Sequence, residues 1–257
     1  MRFTCLLPVH AGDEAAAFTR AFRSAADNTL APDRLLICAD GPLPDALAEA
    51  VAATGATVIA NPGPKGLHHN LNHALGAVDT PWVCRADADD LNRPDRFERQ
   101  AAFLAAHPGI DVLGGSIAEV APDGRRRVKS MPLTHRAIAA RARWRNPVNH
   151  MTVFMRTAAL AAVGGYPAIP RKEDYGLWLR LLAAGARFAN LPDVLVDVTL
   201  GADFHARRAG WDNLASERAL YRLAGATPTA ALAHGARALA LSTRLGARAV
   251  YQGLLRR

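Results

Sequence analysis

Apolar runs and amphipathic stretches alternate along the first half of the chain. Residues 3–9 form an unbroken, largely apolar run that reads as a strand buried on both faces, and residues 14–26 follow with helical spacing of their apolar positions. The alternation repeats: a strand at 34–39, a helix at 44–53, a short strand at 57–60, a helix at 67–77 and a strand at 82–85. This is the pattern of a parallel sheet with crossover helices. The second half reads less regularly. It carries a helix at 93–107, a strand at 111–115, a basic turn or short strand at 125–129, a strand at 152–154, a helix at 157–163 ending at Gly164-Gly165, and a helix at 175–184 closed by Gly185.

Open α/β sheets bind ligands beyond the carboxyl ends of their strands. Those ends carry Pro8-Val9-His10, Asp40-Gly41-Pro42, the Pro/Gly-rich stretch 61–66 and an acidic cluster, Arg85-Ala86-Asp87-Ala88-Asp89-Asp90. Taken singly, the second is a turn and the third a linker; together at one sheet edge they favour a site. Neither a Gly-x-Gly-x-x-Gly nor a phosphate-binding P-loop follows the first strand.

Three carboxylates within four residues repel one another unless a cation or several donors compensate them. A hard divalent ion is the simplest compensator, and Mg²⁺ is usually held by one or two carboxylates plus substrate phosphates. In an extended segment Asp87 and Asp89 would face one ion while Asp90 faces elsewhere. An acidic turn capping the helix that starts near Pro94 explains the same residues without a ligand. A second acidic group, Glu173-Asp174, opens the 175–184 helix, where the helix dipole favours one carboxylate. Capping does not account for two acids flanked by Arg171 and Lys172, although a surface salt-bridge cluster would.

At 257 residues, half of them hydrophobic and about a fifth charged, the chain is long enough for one continuous α/β body and is not disordered. The expected division is residues 1–92, residues 93–204 of the same domain, and a basic helical extension at 205–257. No apolar run reaches the ~18–20 residues of a bilayer span, and the N-terminus lacks the features of a signal peptide. Cys5, Cys38 and Cys84 are odd in number and set in apolar runs, which reads as buried thiols in a reducing, cytoplasmic compartment. The net charge of +8 is concentrated at the end: from His205 onward there are nine arginines against Asp212 and Glu217. Mixed with leucines, these arginines suit either the anionic face of a membrane or a helix packed on the domain with its Arg face exposed. Its aromatics, Trp211, Tyr221 and Tyr251, are sparse and set in no recognisable binding motif, so the segment does not suggest nucleic-acid binding.

Pro8-Val9, Asp40-Gly41, Asn72 in a helix after a Gly-containing loop, the Arg85–Asp90 cluster, and Glu173-Asp174-Tyr175 before a Leu-Trp-Leu-Arg helix occur in the order found in the family 2 inverting glycosyltransferases. The likeness spans about residues 2–200. Asn146-Pro147-Val148-Asn149-His150 resembles the branch that builds bacterial exopolysaccharides, the amylovoran-type transferases. The resemblance implies a GT-A fold with a Rossmann-like, mostly parallel sheet. It also implies a nucleotide-diphosphate sugar, most often a UDP-sugar, bound through Mn²⁺ or Mg²⁺, and a saccharide or lipid-linked acceptor on the second half.

By the same resemblance Asp87 and Asp89 hold the metal, Asp174 is the base that deprotonates the acceptor hydroxyl, and Glu173 stands beside it on the acceptor side. Asp40 would contact the nucleobase, with Pro8 and Val9 lining its pocket and Asn72 nearby; Lys65 or Arg85 would meet phosphate or order the acidic loop. His150 and Trp178 are acceptor-side candidates that equally suit the core. Arg207 and Arg208 would either close over the diphosphate or belong to the basic tail. The sequence departs from the family at Ala39, where an acid is common, at Pro42, and at His10-Ala11, where Tyr-Asn is common. A catalytically silent sugar-nucleotide-binding scaffold would be expected to lose Asp87, Asp89 or Asp174. A sugar-nucleotide nucleotidyltransferase would need a Gly-rich basic loop after the first strand.

Overall fold

The computed structural model describes residues 1–200 and 212–225, together with residues 232, 235 and 236. The N-terminal half alternates as its pattern predicts: β1 (Phe3–Val9), α1 (Ala15–Ala26), β2 (Arg34–Ala39), α2 (Asp45–Ala52), β3 (Thr57–Ala60), α3 (Leu67–Leu75) and β4 (Trp82–Arg85). Strands β3, β2, β1 and β4 lie side by side and parallel, so their loops emerge at one edge.

The second half contributes β5 (Leu91–Asn92), α4 (Arg96–Ala106), β6 (Val112–Val120), β7 (Arg126–Lys129), α5 (His135–Ala142), β8 (Phe154–Arg156), α6 (Thr157–Ala162), α7 (Glu173–Ala183), β9 (Phe188–Thr199) and α8 (Asp212–Leu223). Strand β8 joins the halves, antiparallel to both β4 and β6, and the sheet runs β3-β2-β1-β4-β8-β6-β9-β5 with β7 on β6. The strand at Phe188–Thr199, the helix at His135–Ala142 and the extension of β6 to Val120 exceed the sequence expectation. Pro192 and Asp193 interrupt the apolar run of β9, and the sheet accommodates them as a bulge where the register against β6 shifts between Gly115 and Ser116.

Packing on the two faces of this sheet builds the core. On one face Phe3, Phe97 and Phe154 meet in tilted and edge-on contacts with ring centroids 4.9–5.9 Å apart; on the other, Leu71, Leu177, Trp178 and Phe188 pack together. All three cysteines are buried thiols, and burial pushes Cys38 up to about 12. A smaller cluster seats α8 on the domain: Leu220 is fully buried against Ala142, Ile169, Tyr175 and Leu179. Residues 212–223 of the basic extension are therefore a helix docked on the domain. Arg207, Arg208 and most of 226–257 lie outside the described residues.

Candidate active site

Where β1, β2 and β4 end, the loops enclose a cavity of about 460 Å³. Pro8, Val9, His10 and Asp13 form one wall, Asp40, Leu67 and Asn70 another, and Arg85 with residues 87–90 the floor; Met151, Arg171, Val198 and Thr199 reach in from the second half. Both oxygens of Asp40 accept hydrogen bonds from the 61–66 loop, Oδ1 from Asn61 Nδ2 at 3.0 Å and Oδ2 from the Gly66 amide at 2.8 Å. A carboxylate keeps further acceptor capacity, so Asp40 can both fix this loop and receive a donor from the cavity. His10 is drawn to Asp13, whose Oδ2 lies 2.8 Å from Nδ1; this hydrogen bond raises the imidazole above its ordinary range.

The acidic loop is not extended. A turn at Ala88-Asp89 brings Asp90 back, so carboxylate oxygens of Asp87, Asp89 and Asp90 all lie within 4.8 Å of one another. This corrects the expectation that Asp90 points elsewhere: strand alternation stops at Arg85, where the strand ends. Asp90 is buried, and burial first, then Asp87 and Asp89, push its carboxyl well up. Two buried arginines offset part of this charge. Arg85 Nη2 lies 2.9 Å from Asp87 Oδ1. Arg96, fully buried at the start of α4, donates to Asn92 Oδ1, to Gln100 Oε1 at 3.1 Å and to the Arg85 carbonyl at 2.8 Å. Such a set of hard oxygen donors around like charges fits a divalent ion.

Glu173 and Asp174 start α7. Asp174 is half-buried, accepting from Asn146 Nδ2 at 2.6 Å and from the Tyr175 amide at 2.7 Å, which aims its carboxylate. Glu173 is buried, and its carboxyl is pushed up to about 7 by burial and, secondarily, by Asp174. Lys172 is no surface residue: its Nζ pairs at 2.9 Å with Glu217 Oε1 of α8, with the two side chains 5% and 2% exposed.

Six expected site residues, Lys65, Asn72, His150, Glu173, Asp174 and Trp178, sit apart from the cavity wall. Asn72 spends its amide on the Tyr166 backbone, donating to the carbonyl at 2.9 Å and accepting from the amide at 2.8 Å. It thus clasps the turn at Gly165, whose φ of +72° suits glycine and where an added Cβ would lie 2.4 Å from Asn72 Oδ1. Two residues earlier and on the opposite face of the helix, Asn70 lines the cavity in its place, donating to the Cys38 carbonyl at 2.6 Å and leaving a buried Oδ1 without a partner among the described residues.

Trp178 is fully buried, edge-on to His150 and Phe188, because α7 turns this side chain into the sheet. His150 is buried too, bonded to Arg85 Nη1 and 2.9 Å from the Tyr166 hydroxyl, and burial with Arg85 nearby keeps it well below its usual range and neutral. Both belong to the core behind Arg85 rather than to an acceptor surface. Lys65 is exposed and lies over Gly41. Sequence reasoning missed Asn70, Asp90, Arg96 and Thr199 as contributors, and treated Arg171 only as part of a charge cluster. Arg96 and Thr199 gave no local signal; the third acid of the cluster was visible but assigned the wrong direction.

The model of the family described as glycosyl transferase family 2 matches residues 5–164. The amylovoran biosynthesis glycosyltransferase AmsE of Erwinia amylovora is 35% identical over 226 residues, 86% of this chain and 85% of that protein. A UDP-Gal:alpha-D-GlcNAc-diphosphoundecaprenol beta-1,3-galactosyltransferase of Escherichia coli is 30% identical over 81% of the chain and 78% of its own length. Among solved structures, S. aureus TarS 1–349 in complex with UDP superposes with a TM-score of 0.67 at 19% identity, covering 94% of this chain and 70% of that one. The chain spans 43% of a longer TarS structure. The mannosyltransferase PcManGT from Pyrobaculum calidifontis, in complex with GDP-Man and Mn²⁺, gives 0.63 at 19% identity over 99% of this chain and 80% of that one. These structures share the GT-A fold, and the sequence relationships go further: the chain is a glycosyltransferase and belongs to glycosyl transferase family 2.

Proposed function

We propose that the protein transfers a sugar, with inversion, from a UDP-sugar to a saccharide or lipid-linked acceptor in the assembly of a bacterial exopolysaccharide. The observation that carries this reading is the convergence of Asp87, Asp89 and Asp90 on the floor of a cavity whose walls are the loops after β1 and β2. The nucleotide is bound against Pro8, Val9 and Asp40, with Asn70 lining the same space. Asp87, Asp89 and Asp90 would hold Mn²⁺ or Mg²⁺, which supplies charge neutralisation for the departing diphosphate. Relatives named for amylovoran and for a diphosphoundecaprenol-linked acceptor, and fold neighbours solved with UDP and with Mn²⁺, support the substrate class.

Asp174 takes the proton from the acceptor hydroxyl. Its orientation is set by Asn146 and by its own helix, and the buried Glu173 beside it carries a proton much of the time near neutral pH, so it adds less than a full second charge. No described helix is long and apolar enough to cross a membrane. The arginines of 205–257 would bring the protein to an anionic membrane face from the cytoplasm, where a lipid-linked acceptor is presented. The test is UDP release and product analysis with a panel of UDP- and GDP-sugars, a synthetic GlcNAc-diphospho-lipid acceptor and Mn²⁺. A β-linked product from an α-linked UDP-sugar, abolished by chelator, is the expected result. Retention of configuration, or turnover untouched by chelator, contradicts the reading.

A further inference from the structure

The match to the family model ends at residue 164, yet Arg171 lines the cavity and its neighbours Pro170 and Lys172 are bolted to α8. Two contacts make this bracket. Lys172 forms its buried pair with Glu217, and Ser216 Oγ donates to the Pro170 carbonyl at 3.0 Å. Between them stands Arg171, whose φ of +63° makes it the one non-glycine residue with positive φ among the described residues. A left-handed backbone at a bulky residue persists only where its surroundings enforce it. Here Lys172 is turned inward to Glu217 while Arg171 faces the cavity.

Charge inside the cavity gives the outward residue a task. The wall carries Asp13, Asp40, Asp87, Asp89 and Asp90, and its other cations are engaged: Arg85 with Asp87 and His150, His10 with Asp13. Arg171 has no ion pair among the described residues. A guanidinium opposite the acidic floor suits the oxygens of a diphosphate, which it can meet with two parallel N–H donors.

Resting on the donor-site reading above, we propose that Arg171 is a phosphate-oxygen ligand of the transfer site and that α8 is its positioning element, acting through the Lys172–Glu217 pair. The diphosphate is that of the nucleotide or that of a lipid-linked acceptor, and binding data separate the two. Calorimetry of the full chain with UDP, UMP and Mn²⁺ should show R171A weakening UDP by about tenfold or more with UMP weakened far less, and R171K restoring part of the loss. If the phosphate is the acceptor's, UDP affinity holds and the KM for a synthetic GlcNAc-diphospho-lipid rises instead.

Because a lone buried charge in E217Q endangers folding, the positioning role is read from the paired apolar variant K172M/E217L, which removes both charges together. It should reproduce the R171A change while keeping the wild-type circular dichroism, and combining it with R171A should add nothing. Wild-type behaviour of R171A toward UDP and toward the acceptor overturns the ligand role, and a K172M/E217L variant with unchanged affinities overturns the role of α8. Failure of the wild-type protein to bind UDP with Mn²⁺ would instead overturn the donor-site reading beneath both.

Discussion

The two acidic groups of this protein are held in opposite ways. Asp87, Asp89 and Asp90 follow directly from the end of β4, and two buried arginines, Arg85 and Arg96, brace them within the first hundred residues. Glu173 and Asp174 depend on distant chain: Asn146 orients Asp174, and Glu217, more than forty residues on, fixes the Lys172 that precedes them. The first group, on the proposed donor side, is a local device, and the second, on the proposed acceptor side, an assembled one. Damage to the first should therefore appear in nucleotide binding, and loss of Asp174 in turnover with binding intact, whereas loosening the Lys172–Glu217 pair should also reach phosphate binding through Arg171.

Asp174→Asn is the sharpest break on the acceptor side. Loss of a general base costs on the order of 10²–10⁴ in kcat, and UDP affinity in the presence of Mn²⁺ should stay at the wild-type value; equal loss of both would erase the division. Next in size is Arg96→Met on the donor side, which strands Asn92 Oδ1, Gln100 Oε1 and the Arg85 carbonyl. Breaking this buried network should cost about 3 kcal/mol in urea unfolding and weaken UDP·Mn²⁺ binding as the acidic loop loosens.

The comparison also explains what could be read in advance. The four parallel strands and their loops were legible because each follows from a local apolar run and a local turn. The path of Phe188–Thr199 was hidden by Pro192 and Asp193, which only pairing with the bulged β6 reconciles with a strand. The same limit misplaced Asp90, whose direction depends on a turn rather than on strand alternation, and favoured Asn72 over Asn70, since a helix face cannot be assigned without knowing what it packs on. Trp178 and His150 are amphipathic, and only their packing behind Arg85 assigns them to the core.

Asn72→Ala sharpens that assignment. It should lower stability by about 1–3 kcal/mol through the unpaired Tyr166 backbone groups and leave UDP affinity unchanged; a selective loss of UDP binding would return Asn72 to the donor site. The smallest effect belongs to Glu173. Its folded-state carboxyl, raised to about 7 from an ordinary 4.5, holds a proton that the unfolded chain has released. The contribution of Glu173 to stability therefore falls as pH rises from about 4.5 to 7. Glu173→Gln should flatten that part of the stability profile, gaining on the order of 1 kcal/mol relative to wild type above pH 7. An unchanged slope would mean Glu173 ionises freely.

Thermal unfolding with UDP, with Mn²⁺ and with both, on wild type and Asp89→Ala, tests the central claim that the acidic floor and the nucleotide walls form one site. Ligand bound only by the native state must raise the melting temperature. The predicted result is a rise that requires UDP and Mn²⁺ together and vanishes in the variant; a rise with UDP alone, equal in both proteins, would contradict it.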